Sequence, residues 1–209
     1  MSWNGGVFFM MNTQSSATKK VNVRRMTVIG VLSAISIMLS MIPGIGYIPI
    51  GPTNATIMHI PVIIGAIIEG PIVGATVGFI FGLTSLLKAL TAPTVTSFAF
   101  MNPLVSILPR VLIGILTYYI YELVMKVTKR VYVSGLVAGA LGSLVNTVGV
   151  LSMIYILYAG RFAEACGASA SAAGKFIFTI GTTNGIPEAI VSALVVSAVV
   201  VSLKKVIKR

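Results

Sequence analysis

Charged residues are scarce in this sequence. Only 9% of the 209 residues are charged and 56% are hydrophobic, a composition outside the range of soluble globular domains and typical of integral membrane proteins. A hydrocarbon core about 30 Å thick needs roughly 20 apolar residues per helix, so the chain has room for five or six spans but for no sizeable soluble domain. Any energy-converting machinery must therefore belong to another chain.

Reactive side chains are scarce as well. The single cysteine, Cys166, excludes an internal disulfide and a CxxC motif, and the single histidine excludes a metal site built on several histidines. That residue, His59, is expected at a helix start or at the rim of a pocket, where it could contact a ligand. The stretch 169-SASAAGKF-176 lacks the first glycine and the final Ser or Thr of a phosphate-binding loop. We therefore expect no enzymatic activity, no metal and no cofactor.

Positive charge is what the sequence has in excess, with 15 Lys and Arg against 4 Asp and Glu. These residues form short clusters beside apolar stretches, where they normally set the orientation of membrane helices. The formal charge of +11 therefore indicates contact with the lipid bilayer and no nucleic-acid partner. Residues 1–23 are expected to be a disordered cytoplasmic leader, and residues 24–209 a membrane domain.

Glycine and proline divide the apolar sequence into six predicted spans. The stretch 58–87 is nearly all apolar except for Glu69, and it is predicted to fold back at a corner because Gly70 permits a tight turn and Pro71 is accepted in the first turn of a helix. The spans then cover about residues 27–42, 56–68, the stretch that begins at 71, 104–125, 131–158 and 176–203.

The distribution of positive charge supports this division. With six spans both termini lie on one side, which carries eleven Lys and Arg against three on the other, as the positive-inside rule requires. A single span over 58–87 would invert the rest of the chain and place two basic clusters outside. The predicted fold class is therefore an all-α integral membrane protein with six transmembrane helices and both termini cytoplasmic.

Four polar or charged residues on four spans are predicted to share one depth. A rise of 1.5 Å per residue from the cytoplasmic ends places them about 23 to 25 Å above the inner surface; they are Arg110, Asn146, Glu188 and Lys88. Asn184 lies one turn above Glu188. Charges at membrane depth usually face an interior cavity, and two cations beside one carboxylate would suit a small organic anion.

In such a site Arg110 would bind a carboxylate through paired donors, and the asparagines would bind neutral polar groups. Two alternatives stay open. Arg110 and Glu188 could form a structural ion pair while the asparagines join helices by hydrogen bonds, and Lys88 could extend to the membrane surface instead.

The sequence resembles a known family over residues 24 to 208. A basic start before a span of small residues, HIPVIIGAIIEGP followed by GATVGFIFGLTS, and late spans with asparagine are similar to the substrate-binding S components of energy-coupling factor (ECF) transporters. The resemblance implies a vitamin-binding subunit in the plasma membrane of a prokaryote, with loops 1/2 and 3/4 as lids. Its partner would be a module of one transmembrane coupling protein and two ATPases.

Within the family, ATIMHIPVIIGAIIEGP, FGLTS and TSFAF are most similar to the pantothenate-specific members. Pantothenate has a carboxylate, two hydroxyls and an amide, which suits the cationic layer with its asparagines. Riboflavin, pyridoxine or folate stay open as substrates, because S components share a fold while their pockets differ.

The resemblance also implies a docking surface on span 1. The family motif there is Ala-x-x-x-Ala, and Gly30 and Ala34 occupy the equivalent places. Small residues at this spacing allow another helix to approach closely, although packing within the chain would explain them equally well. Glu69 at the cytoplasmic corner is a second candidate for contact with the module. Functions of other classes are an autonomous transporter with Glu188 as proton carrier, and a membrane scaffold without a ligand.

Overall fold

The computed structural model describes residues 23–42, 46–50, 53–92 and 96–207. Its helices are α1 (Val23–Met41), α2 (Ile60–Glu69), α3 (Pro71–Thr91), α4 (Ser97–Phe100), α5 (Pro103–Ser106), α6 (Leu108–Thr128), α7 (Val131–Ala165) and α8 (Ala173–Ile207). Two strands, β1 (Tyr47–Ile50) and β2 (Thr53–Thr56), follow α1, and a 3-10 turn (Ala170–Ala172) precedes α8. The predicted leader, residues 1–23, lies outside the described residues except for its last one.

Five helical segments in the described part are long and apolar enough to cross a membrane. They are α1, α3, α7, α8 and the segment Pro103–Thr128, which consists of α5 and α6 together. The remaining predicted span, the second along the chain, corresponds to α2, which is apolar but has only 10 residues. The helical membrane class is therefore confirmed, while the count of six spans and the cytoplasmic position of the termini stay predictions.

The corner in the stretch 58–87 lies where the sequence predicts it. α2 ends at Glu69, α3 begins at Pro71, and Gly70 between them has φ +101° and ψ 176°, a conformation that residues with a side chain rarely adopt. A Cβ at Gly74 would lie 2.5 Å from the Cβ of Ala66, so the start of α3 packs directly against α2. The apolar stretch is two helices.

α2 lies in the middle of the molecule. Eight of its ten residues, from Ile60 to Ile67, are buried, and it contacts α1, α3, α6, α7 and α8. Pro61 stands in its first turn, where the missing N–H leaves no helical bond unmade. The segment that leads into α2 is therefore inside the fold, including His59.

α3 and α6 meet backbone to backbone. Glycines recur at every fourth position of α3, and added Cβ atoms would collide with α6: one at Gly78 would lie 2.1 Å from the carbonyl oxygen of Arg110, and one at Gly82 would lie 2.8 Å from the Cα of Ile107. Glycines at this spacing let two helix backbones come together. The contact fixes the level of Arg110 relative to α3.

α1 turns its small polar residues inward. Ser33, Ser36 and Ser40 are buried, whereas Val31 and Met38 are more than half exposed. The Ser36 hydroxyl donates to the Met58 carbonyl at 3.3 Å. In a membrane this pattern places the apolar side chains against lipid and the small polar ones against neighbouring helices.

Three segments differ from the sequence-based predictions. The loop after α1 contains an antiparallel hairpin in which Tyr47 pairs with Thr56, so Thr56 belongs to a strand and α2 begins four residues later. The predicted span 4 is divided at Ile107 into α5 and α6. α7 continues past Tyr158, where φ −141° marks a bend, to Ala165, and it is followed by an exposed Cys166.

Candidate ligand-binding site

Contacts between neighbouring helices bring residues of α6, α7 and α8 to one level. A Cβ at Gly149 on α7 would lie 3.1 Å from Pro109 on α6, and a Cβ at Gly185 on α8 would lie 3.1 Å from Thr147 on α7. These contact points are adjacent in sequence to three of the predicted site residues. The structure therefore places Arg110, Asn146 and Asn184 at about the same level of the bundle.

Arg110 is a buried cation held in a fixed orientation. Its Nη1 donates to the Val105 carbonyl at 2.7 Å. That carbonyl lacks a helical donor because the residue four positions later is Pro109, which has no N–H. The guanidinium carbon lies 5.6 Å from the ring centroids of both Phe81 and Phe100, within cation–π range. Its buried Nε has no hydrogen-bond partner among the described residues, so one donor is left for an anion.

Three more predicted site residues have buried polar atoms that bond to nothing within the described part of the chain. These atoms are both ring nitrogens of His59, Oδ1 of Asn146 and Oδ1 of Asn184. Buried polar groups in folded proteins are normally hydrogen-bonded. A neutral imidazole has one donor and one acceptor, and amide oxygens accept. The set is therefore suited to a ligand that carries hydroxyl or amide groups.

Glu188 bonds to threonines and does not pair with Arg110. Its Oε1 accepts from the Thr56 backbone N–H at 2.8 Å and from the Thr56 hydroxyl at 2.7 Å, and its Oε2 accepts from the Thr147 hydroxyl at 3.2 Å. Among the described residues the ion pairs are those of Arg24 and Arg25. The alternative of a structural Arg110–Glu188 ion pair is therefore wrong. Glu188 as a substrate ligand stays a prediction.

Lys88 lies farther out along its helix than Arg110, and the shared depth predicted for it is wrong. It follows Gly78, which contacts the backbone of Arg110, by ten residues, or about 15 Å along α3. The depth estimate assumed that α3 begins level with the cytoplasmic helix ends, but Pro71 lies beside Tyr118 on α6. Lys88 donates from Nζ to the Ser40 carbonyl on α1 at 2.6 Å. Its role in ligand binding stays a prediction.

Glu69 forms ion pairs at the opposite end of the molecule. Its Oε1 lies 2.8 Å from Nη2 of Arg24, and its Oε2 lies 3.9 Å from Nε of Arg25. The Glu69 side chain is only 9% exposed, whereas both arginines are more than half exposed. The carboxylate predicted to contact a partner is thus joined to the start of α1.

The second predicted lid, around α4, packs on the bend of α7. The Phe98 and Tyr158 rings meet edge to face with centroids 5.7 Å apart, and the Arg161 guanidinium lies 4.4 Å over the Phe98 ring. Asn102 donates from Nδ2 to the Tyr158 hydroxyl at 3.2 Å. These contacts hold the α4 segment over the C-terminal part of α7.

A groove between two of the long helices is lined by other residues than Arg110, Asn146, Asn184 and His59. It has a volume of about 670 Å³, lies between α7 and α8, and is lined mainly by apolar side chains such as Leu151, Tyr155 and Phe178. Because Phe178 is 72% exposed, this groove opens at the surface of the bundle that would face lipid. The predicted site residues Arg110, Asn146 and Asn184 are not among those that line this groove.

Sequence reasoning missed the residues that hold the site in place. Pro109, directly before Arg110, was a usable signal, because proline frees the carbonyl four residues earlier. Thr56 and Thr147 gave no usable signal, since threonine is common in membrane helices and loops. Phe81 and Phe100 are indistinguishable in sequence from other apolar residues, and only their contact with the guanidinium distinguishes them.

Comparisons with known proteins point to one family. Residues 24–200 match the family model described as ECF transporter, substrate-specific component. The chain is 32% identical over 168 residues to the pantothenic acid transporter PanT of Lactococcus lactis subsp. cremoris, which covers 74% of this chain and 80% of that protein. It is 34% identical over 131 residues to the pantothenate transporter PanT of Leuconostoc mesenteroides, which covers 59% of this chain and 64% of that protein. The protein therefore belongs to the substrate-specific components of ECF transporters, a family of transporters and not of enzymes.

Proposed function

We propose that this chain is the S subunit of an ECF-type importer that captures pantothenate on the outer face of the plasma membrane. It would deliver the vitamin inward together with a separate module of one transmembrane coupling protein and two ATPases. The family match and two relatives named for pantothenate transport support the proposal. The observation that carries the substrate assignment is the buried set of unpartnered polar atoms around Arg110.

The chemistry of pantothenate suits this set. Its carboxylate would accept from the Arg110 guanidinium, a charge-assisted bond that strengthens where water is excluded. Its hydroxyls and amide would bond to Asn146, Asn184 and the free ring nitrogens of His59. Because Val105 and two phenylalanine rings already hold the guanidinium, little side-chain freedom is lost on binding.

The proposed topology has α2 as the sixth span. Ten residues of helix extend only about 15 Å, roughly half of the hydrocarbon core. The β1–β2 hairpin and the approach to α2 would fill the remaining depth on the outer side, where the substrate enters. The excess of positive charge at the helix ends beside Glu69 supports cytoplasmic termini.

The proposed docking surface is the outward face of α1. Gly30 and Ala34 are both exposed, and a Cβ at Gly30 would meet no atom within 4 Å. Contacts with the described helices therefore do not explain why these residues are small. Close approach of a partner helix to this face would explain the small residues.

The test of the site is pantothenate binding by the purified protein, measured by titration calorimetry. Hydrogen bonds to charged groups contribute about 1.5–3 kcal/mol, so Arg110→Ala should weaken binding by more than about tenfold. Lys175→Ala, which removes an exposed cation from α8, is the matched control and should bind like wild type. Unchanged affinity in Arg110→Ala would refute the site.

The substrate and the partnership have separate tests. Mass spectrometry of the small molecule that copurifies should identify pantothenate, and another vitamin there would overturn the substrate while leaving the S-subunit role intact. Uptake into liposomes should require the ATPase module. Uptake by this chain alone, driven by a pH gradient, would instead favour a proton-coupled transporter.

A further inference from the structure

The Glu188 carboxylate joins three elements of the fold. It projects from α8. It accepts two hydrogen bonds from Thr56, the last residue of β2, and one from Thr147 on α7. Glu188 is only 6% exposed, so water competes little for these bonds. Bonds from N–H and O–H donors to a charged acceptor are about twice as strong as those between neutral groups.

The β1–β2 hairpin needs such an attachment. A two-stranded hairpin is at best marginally stable on its own in water. Its base is closed by the Ile57 N–H, which donates to the Gly46 carbonyl at 3.1 Å, but that bond lies within the same loop. Thr56 is where the described side-chain bonds join the hairpin to the helical bundle, and both of its bonds end on one oxygen of Glu188.

The attachment point is also close to the candidate ligand site. Thr56 precedes His59 by three residues, at most about 11 Å of chain, and Asn184 lies one turn before Glu188 on α8. A change in the position of Thr56 would therefore move both the hairpin and His59, one of the polar groups of the site.

We propose that Glu188 is a positioning residue that fastens the β1–β2 hairpin over the ligand site through Thr56 and thereby slows release of the bound substrate. Both of its carboxylate oxygens accept from threonines, so in this role it acts on the hairpin and not on the substrate. The proposal thus replaces the sequence-based prediction that Glu188 is a substrate ligand. The inference rests on the proposed function, because it concerns how a ligand in the cluster of Arg110, His59 and the asparagines is retained.

The substitution Glu188→Gln separates this role from the others. The amide oxygen of the new side chain can accept both Thr56 bonds. Its amide nitrogen can donate to the Thr147 hydroxyl, whose single proton can then go to the Ser143 carbonyl 3.3 Å away. Glu188→Gln should therefore keep the hairpin fastened, whereas Glu188→Ala removes every acceptor. A proton carrier, in contrast, would be inactivated by glutamine as completely as by alanine.

The first experiment needs no ligand. Hydrogen exchange of the purified protein should show that the peptide containing residues 53–57 loses protection by more than about tenfold in Glu188→Ala, because the Thr56 N–H loses a charged acceptor. Glu188→Gln should stay within about threefold of wild type by the same measure. Equal protection in wild type and Glu188→Ala would overturn the attachment, even if pantothenate proves to be the wrong substrate.

The second experiment measures release of radiolabelled pantothenate from the preloaded protein. Glu188→Ala should raise the dissociation rate by about tenfold or more, with the association rate changed far less. Thr56→Val, which keeps the N–H but loses the hydroxyl, should have a smaller effect, and it should add nothing in the Glu188→Ala background. Glu164→Ala, which removes an exposed carboxylate from the end of α7, should release the ligand like wild type.

Two results would overturn the role. If Glu188→Gln impairs binding as much as Glu188→Ala, the negative charge itself is needed and the residue acts on the substrate or on a proton. If the effects of Glu188→Ala and Thr56→Val on the dissociation rate simply add in the double variant, Glu188 does not act through Thr56.

Discussion

Gly78→Ala should show how strongly the backbone contact between α3 and α6 controls the binding site. A Cβ at this position would lie 2.1 Å from the Arg110 carbonyl oxygen and 2.8 Å from its carbonyl carbon, whereas ordinary contact begins at 3.4 Å. The difference between 2.1 and 3.4 Å means that the helices must separate by roughly 1.3 Å at this point. Both atoms belong to the backbone, so no side chain can rotate away to make room.

Two quantities should change. Overpacking of this kind costs about 1–3 kcal/mol, which for a chain of this size lowers Tm by roughly 2 to 12 °C. Displacement of Arg110 from its bond to Val105 should also weaken pantothenate binding by about tenfold or more, since each 1.4 kcal/mol is a factor of ten. In an Arg110→Ala background the added substitution should still lower Tm but change the affinity little.

The measurements are titration calorimetry and thermal unfolding in one detergent. Gly174→Ala on α8 is the matched control, because its new Cβ would meet its nearest atom, Cε2 of Tyr155, at 3.6 Å, and it should keep the wild-type affinity. Wild-type affinity in Gly78→Ala would refute the claim that the position of Arg110 depends on this contact.

Three further substitutions test the remaining assignments. Gly30→Leu should leave pantothenate binding unchanged and abolish transport by the assembled importer, measured as uptake into liposomes; normal transport would contradict the docking face. Glu69→Lys should still bind substrate but fail to transport, and recovery on adding Arg24→Glu would assign the defect to the ion pair within the chain. Lys88→Met keeps the aliphatic stem but loses the donor to Ser40, so an affinity loss as large as that of Arg110→Ala would place Lys88 at the ligand.

The sequence was sufficient where local chemistry decides the structure. The corner at Gly70 follows from one glycine and one proline, and the structure has it at the predicted residue. Counting along helices predicted one depth for Arg110 and Asn146, and α6 and α7 do pack side by side beside these residues, with Gly149 against Pro109. Asn184 was predicted one turn above that depth, whereas Gly185 next to it packs on Thr147. For Lys88 the count failed, since α3 begins beside Tyr118 and no local signal gives the height of that corner.

Non-local contacts were beyond sequence reasoning. The β1–β2 hairpin consists of four-residue strands in a segment rich in glycine and proline, where a loop is the natural prediction. Glu188 was recognised as a costly buried charge and predicted to bind the substrate, with an ion pair to Arg110 as the alternative. Its actual donors, Thr56 and Thr147, lie 132 and 41 residues away along the chain. Threonine is common in membrane proteins, so the residue type does not identify either of them as a partner of Glu188.

The end of α7 offers a practical handle for following this subunit at work. Cys166 is exposed, just beyond the last turn of the helix, and it is the single thiol in the sequence. A maleimide dye attached there would report on the orientation of the bundle without any introduced cysteine. Partial burial raises the pKa of the Cys166 thiol, and the thiolate is the reacting species. Labelling of the purified protein should therefore become faster as the pH is raised above neutral. The labelled protein can then be returned to a membrane.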